Sequence, residues 1–158
     1  MVSIPRRPGV YALLLRVDRE AVVTVGALGR LRLHRGFYVY IGSARGPGGL
    51  AARVGRHLSE EKRVRWHIDY ILAAPAVHVE AVVYAETREP ECVLTRPLEE
   101  RGFTHPAKRL GASDCKARCK SHFLACPAAS PSVCLKNVKS AFRDAGLEPH
   151  LLLVDAEP

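Results

Sequence analysis

Gly36-Phe37-Tyr38-Val39-Tyr40-Ile41-Gly42-Ser43-Ala44-Arg45, then Gly46-Pro47-Gly48-Gly49, then Leu50-Ala51-Ala52-Arg53-Val54-Gly55-Arg56-His57 reads as a strand, a tight turn and the start of a helix. Aromatic and β-branched residues alternate from Phe37 to Ile41, the pattern of a half-buried strand. The glycines at 42, 46, 48 and 49, with Pro47, stop that strand and let the backbone turn sharply. The helix that follows, expected over about Gly49 to Leu58, carries Arg53 and His57 four residues apart and therefore on one face. A strand end and a helix face joined in this way bring tyrosine hydroxyls, a guanidinium and an imidazole together.

Upstream, Gly9 to Arg16 follows Pro5 and Pro8 and reads as a mostly buried strand. Asp18-Arg19-Glu20 turns the chain, and Ala21 to Val25 is expected to return as its hairpin partner. Arg30 to His34 alternates basic and apolar residues, a strand with one wet, positive face. Downstream, Glu60 to Arg65 is a charged connector, and Trp66 to Leu72 a short amphipathic helix ended by Pro75. A strand is expected over Val77 to Ala85, and helices over Glu91 to Arg101, Asp114 to Ala125 and Pro131 to Ala145. Gly146 would cap the last helix, with an edge strand over Glu148 to Val154. Strands and helices mix without regular βαβ alternation, which argues an α+β fold.

The length, 158 residues, fits a single domain with a real core. We divide the chain into a domain over residues 1–126 and a C-terminal helix with an edge strand over 127–158, packed on that domain. No apolar run reaches membrane length and the N-terminus lacks a secretory apolar region, so a cytoplasmic location is expected. The absence of Gln, with Asn137 as the single Asn, hints at a thermophilic source. The net charge is +8, and residues 1–70 hold all of the excess, with 13 Lys and Arg against 5 Asp and Glu. A basic half around a Gly-rich turn suits a polyanion, most naturally nucleic acid; a solubilising surface is the alternative.

Gly9-Val10-Tyr11 and Tyr40-Ile41-Gly42 resemble the two signature triplets of the GIY-YIG nuclease superfamily. Arg53 and His57 fall where that family carries an arginine and, often, a histidine, and Glu91 matches its metal-binding glutamate. Trp66-His67-Ile68-Asp69-Tyr70, Gly111-Ala112-Ser113-Asp114-Cys115 and Ser121-His122 resemble a stand-alone branch of the superfamily, some relatives of which are fused to base-excision DNA-repair domains. The resemblance implies a small, mostly antiparallel sheet flanked by helices. It also implies an endonuclease or DNA-repair activity with Tyr11, Tyr40, Arg53, His57 and Glu91 as catalytic residues. Glu91 would be the metal ligand for Mg²⁺ (or Mn²⁺), DNA the partner, and a homodimer is left open.

That set matches what phosphodiester hydrolysis needs. Tyr11 or Tyr40 would serve as general base if neighbouring cations lower a phenol pKa of about 10. Arg53 offers a planar fork for phosphoryl oxygens, and His57 would shuttle a proton or hold a tyrosine hydroxyl. Glu91 suits an ion that keeps most of its waters. Taken singly, each also reads as an ordinary structural residue: a strand tyrosine, a solvated helix arginine, a first-turn acid. Arg45, Arg56, Lys62, Arg63 and Arg65 would contact nucleic acid, and Lys116 and Arg118, with Lys108, Arg109 and Lys120, form a second basic patch. Tyr11 and Tyr40 are 29 residues apart, longer than the compact family pattern, and the extra length would cover the site, bind substrate or supply an interface.

Cys115, Cys119, His122 and Cys126 invite a zinc reading. On one continuous helix they would spread over about 16 Å, too far for one tetrahedral ion. Zinc therefore needs that segment broken or a ligand such as His67 from outside it. Buried apolar cysteines with Ser113 or Asp114 as a helix cap are the plainer reading. A Cys126–Cys134 disulfide fits only a thermophile's cytosol. Asp69 is expected to pair with an arginine, while Trp66 reads as core.

Overall fold

The computed structural model describes residues 4–59, 64–110 and 120–154. Its centre is β1 (Gly9–Val17), every residue of which but Arg16 is buried. β1 pairs antiparallel with β4 (Gly36–Ala44) on one side and with β5 (Val77–Glu86) on the other. Short strands β6 (Phe123–Ala125) and β7 (His150–Leu153) extend the sheet, giving the order β6-β4-β1-β5-β7. The fold is α+β, a five-stranded antiparallel sheet and a two-stranded sheet flanked by four helices.

Both faces of the main sheet are covered, which is why β1 reads as a nearly unbroken apolar run. Tyr11, Leu13, Leu15 and Val17 point to one face, with Tyr38 and Tyr40 beside them. They pack against α1 (Gly49–Leu58) through Leu50 and Val54, and against α2 (His67–Leu72) through Ile68 and Ile71. Val10, Ala12, Leu14, Val39 and Ile41 point to the other face. There they meet Leu98 of α3 (Thr95–Glu100) and Val138, Ala141 and Phe142 of α4 (Pro131–Asp144).

The hairpin expected between the first two strands is not formed. β2 (Ala21–Thr24) pairs instead with β3 (Arg30–Leu33), because β4 and β5 already occupy both hydrogen-bonding edges of β1. This ribbon lies on the α1/α2 face through Val23, Val25, Leu31 and Leu33. The helix expected over Glu91–Arg101 is split into a 3-10 turn, Glu91–Leu94, and α3. Pro97 has no N–H for the Val93 carbonyl, so one uninterrupted α-helix cannot run through it. Phe123–Ala125, expected as the end of a helix, is a strand paired with Tyr38–Tyr40, and residues 120–122 before it are not helical; residues 114–119, the first half of that expected helix, lie outside the described residues.

Cys126 and Cys134 form a disulfide between the end of β6 and the first turn of α4. That removes Cys126 from any zinc set; Cys115 and Cys119 lie outside the described residues. Ser130 caps α4 by accepting a hydrogen bond from the Val133 N–H. Among the described residues no helix is long and apolar enough to cross a membrane.

Candidate active site

The two quoted triplets lie side by side. The β1–β4 register sets Tyr11 opposite Gly42 and Leu13 opposite Tyr40. Gly42 carries no Cβ, and the Tyr11 phenol occupies the space that one would fill. Tyr11 is therefore fully buried with its hydroxyl reaching the inner face of α1, where it lies 2.6 Å from His57 Nε2. The Tyr40 ring meets the same imidazole edge-on at 5.8 Å between centroids.

α1 delivers its residues because its start is fixed by main chain. The Leu50 and Ala51 N–H groups donate to the carbonyls of Arg7 and Pro5, and Gly49 takes φ +54° where a Cβ would strike Arg7. These bonds occupy donors that a bound anion would otherwise use. An anion at this turn would have to be held by side chains instead. Arg53 and Arg56, with Ala44, Gly46, Pro47, Gly49 and Ala52, line an open cavity of about 220 Å³.

Arg53 lies close enough to act electrostatically on both phenols, pulling the pKa of each down in part. Its guanidinium lies 4.5 Å from the centre of the Trp66 ring, and that of Arg56 4.0 Å. Arg56 also makes a bidentate pair with Asp69, at 2.9 and 2.8 Å. Asp69 Oδ2 further accepts the Arg65 and Trp66 N–H groups, each at 2.9 Å, at the start of α2. Asp69 is wholly buried. Burial opposes its ionisation, but the Arg56 hydrogen bonds and the two amides outweigh it and hold the carboxyl below its ordinary range. Arg56, expected at a nucleic-acid surface, is thus committed first to Asp69. Asp69 and Trp66 together brace the wall that carries Arg53.

Glu91 stands at the end of β4. Ser43 donates a hydrogen bond to Glu91 Oε2 at 2.5 Å, and His122 Nδ1 lies 3.4 Å from Oε1. His122 Nε2 is 3.5 Å from Cys92 Sγ, so this histidine, a candidate member of a zinc set, serves the Glu91 turn. Glu91 also acts on both phenols, raising the pKa of each. The largest cause is burial, which pushes Tyr11 and Tyr40 above the usual phenol range; Tyr40 also raises Tyr11, and Arg53 pulls both back in part. In the unliganded protein both phenols are therefore neutral.

The five expected catalytic residues thus share one electrostatic neighbourhood. Arg45 and Arg65 lie exposed beside it, Arg65 reaching over Trp66 at 5.7 Å. Lys62, Arg63, Lys116 and Arg118 lie outside the described residues. Ser43 was not singled out from the sequence. Trp66, expected in the core, packs half-buried against it, and its backbone N–H is also held by Asp69, an acid three residues after a helix boundary in a recognisable cap pattern. Among the described residues no group of three or more His, Cys, Asp or Glu side chains is placed to hold a metal ion.

A family model described as "Domain of unknown function DUF123" matches residues 10–146. The chain belongs to the DUF123 family. The matched span runs from β1 to the residue after the α4 cap, so the DUF123 match takes in the β2–β3 ribbon and the Tyr11, Tyr40, Arg53, His57, Asp69 and Glu91 side chains of the site. No curated protein and no solved structure compared with the chain matches it.

Proposed function

We propose that this DUF123 chain is a Mg²⁺-dependent DNA endonuclease or DNA-processing enzyme of GIY-YIG type. The observation that carries the reading is the Tyr11–His57 contact of 2.6 Å beneath Arg53, with Glu91 acting on the same phenols. The triplets Gly9-Val10-Tyr11 and Tyr40-Ile41-Gly42 supply the family resemblance.

The chemistry follows from the protonation states. A neutral phenol is a poor base by itself, but Tyr11 has an acceptor within reach. With His57 protonated at Nδ1, the attacking water gives its proton to the Tyr11 oxygen while Tyr11 passes its own to His57 Nε2. The water oxygen bonds to phosphorus, and the scissile P–O bond breaks with its electron pair leaving on the sugar oxygen. Arg53 supports the phosphoryl oxygens as charge builds, and Tyr40 donates a hydrogen bond to one of them.

The donor set at Glu91, one carboxylate beside the Ser43 hydroxyl, would suit a hard cation whose remaining positions go to waters and substrate phosphate. When bound, Mg²⁺ supplies charge neutralisation at the leaving oxygen. Incubating plain, nicked and branched DNA with the protein and MgCl₂ tests the proposal. Cleavage is expected, reduced at least about 100-fold in Tyr11→Phe and in Arg53→Ala. Binding without cleavage across divalent metals overturns the enzymatic reading.

A second reading is a binding module that reuses this scaffold without turnover. Neutral phenols and an Arg56 committed to Asp69 favour it. Parent protein that binds but does not cut, with affinity unchanged in Tyr40→Phe and Glu91→Ala, would establish it.

A further inference from the structure

The β2–β3 ribbon plays no part in the proposed chemistry, yet its outer face is strongly biased. Residues 21–35 contain three arginines and no acid. Leu31 and Leu33 point inward, and Arg30 and Arg32 point to solvent, opposite Thr24 and Val22 in the register. Val22 is 55% exposed, and Arg35 is exposed at the turn into β4. The inner face is tied to the site side of the molecule. Val23, Val25, Leu31 and Leu33 share one apolar cluster with Ile68 and Ile71 of α2, and Gly26 lies over the Tyr70 ring. Trp66 is the N-cap of α2, and Arg53 and Arg56 stack on it.

We infer that the β2–β3 ribbon is a second contact for duplex DNA, with Arg30, Arg32 and Arg35 on phosphates flanking the site. This inference rests on the nucleic-acid reading of the site. Charge complementarity selects the partner. The two strands and their connections, residues 21–35, carry three arginines and no acid, and they continue the half of the chain that holds the entire positive excess. Dimensions agree as well: strand residues rise about 3.4 Å each, so Arg30 and Arg32 lie about 7 Å apart along the ribbon, a span that reaches neighbouring phosphates on one strand of a duplex. The outward residues include no Phe, Tyr or Trp on which unpaired bases would stack, which favours a duplex over a single strand. Glu20 stands at the edge of this face and holds Arg32 at 2.6 Å, so binding must exchange that carboxylate for a phosphate.

The test measures affinity of the full chain by fluorescence anisotropy, without divalent metal. The probes are a 20-base-pair duplex and its single strand, titrated between 50 and 300 mM salt. The triple variant Arg30→Ser, Arg32→Ser, Arg35→Ser is expected to lose about 100-fold in duplex affinity at 0.15 M salt, with the log–log salt slope falling by about 2.7. Glu20→Gln, which frees Arg32, is expected to tighten duplex binding several-fold. Because all four positions are exposed, unchanged melting temperatures are expected to accompany both results. If affinity and slope stay at parental values in both variants, the arginines are edge-protecting charges and the proposal is overturned. It is overturned equally if the variants weaken binding only to anionic vesicles or to single strands. Loss of DNA cleavage in the parent with these affinity changes intact would overturn the enzymatic reading and leave this contact standing.

Discussion

The Tyr11 phenol fills the place where a Cβ on Gly42 would stand. The glycine of one triplet is thereby the clearance for the tyrosine of the other, and the Tyr11–His57 contact depends on it. Gly42→Ala is expected to cost about 1–3 kcal/mol in denaturant unfolding, the range for overpacking a filled core. In a Tyr11→Ala background the same substitution should cost much less, because the clashing ring is gone. Equal costs in the two backgrounds would show that Gly42 serves something other than Tyr11.

Asp69 and Arg56 form the buried ion pair that fixes Trp66 beneath Arg53. Replacing one member of such a pair leaves the other charge uncompensated. Asp69→Asn is expected to destabilise by about 3 kcal/mol, the lower end for buried pairs because Arg56 retains some solvent contact. The folded state holds this carboxyl below its ordinary range, so its contribution is present above about pH 4 and is lost as pH falls below that. Urea midpoints measured from pH 7 down to pH 2 should therefore fall less steeply in Asp69→Asn than in the parent.

Much of this was legible in the chain, and the failures have physical causes. Phe37–Ile41 and Gly49–Leu58 carry clear periods of two and 3.6, so strand and helix were readable at once. The i, i+4 spacing likewise put Arg53 and His57 on one face. Ala21–Val25 is readable as a strand, but its partner is not, because pairing depends on which edges of β1 are already occupied. Phe123–Ala125 is too short for a period to declare itself. The service of Ser43 and His122 to Glu91 spans 48 and 31 residues of chain, and no local pattern encodes such a distance.

The Cys126–Cys134 bridge closes a loop of eight residues' separation between β6 and α4. Loop-closure entropy for so short a loop corresponds to about 2.5 kcal/mol. Adding reductant, or replacing both residues by Ala, should lower stability by about that amount. β6 pairs with Tyr38–Tyr40 and borders His122, so hydrogen exchange of the Phe123 and Leu124 amides should accelerate in the same samples. Unchanged exchange with lowered global stability would confine the bridge's effect to the unfolded chain.

Tyr11 and Tyr40 together separate two versions of the chemistry. Burial, reinforced by Tyr40 at Tyr11 and by Glu91 at both, holds their pKa values above the ordinary phenol range; Tyr38 is raised by burial too. A group whose folded pKa is raised contributes stability below the unfolded value and loses it as pH climbs above it. The protein should therefore weaken above about pH 10, with the phenolate absorbance of these tyrosines delayed until unfolding. Were a phenolate the general base, cleavage would keep rising towards that limit. A neutral Tyr11 relaying its proton to His57 predicts a rising limb well below pH 10 that disappears in His57→Gln, while Tyr11→Phe lowers the plateau by about 100-fold or more. Cleavage rates measured from pH 5 to 10 at saturating Mg²⁺ decide between them: a limb that stays in His57→Gln and tracks the phenol absorbance would return the base to Tyr11 or Tyr40.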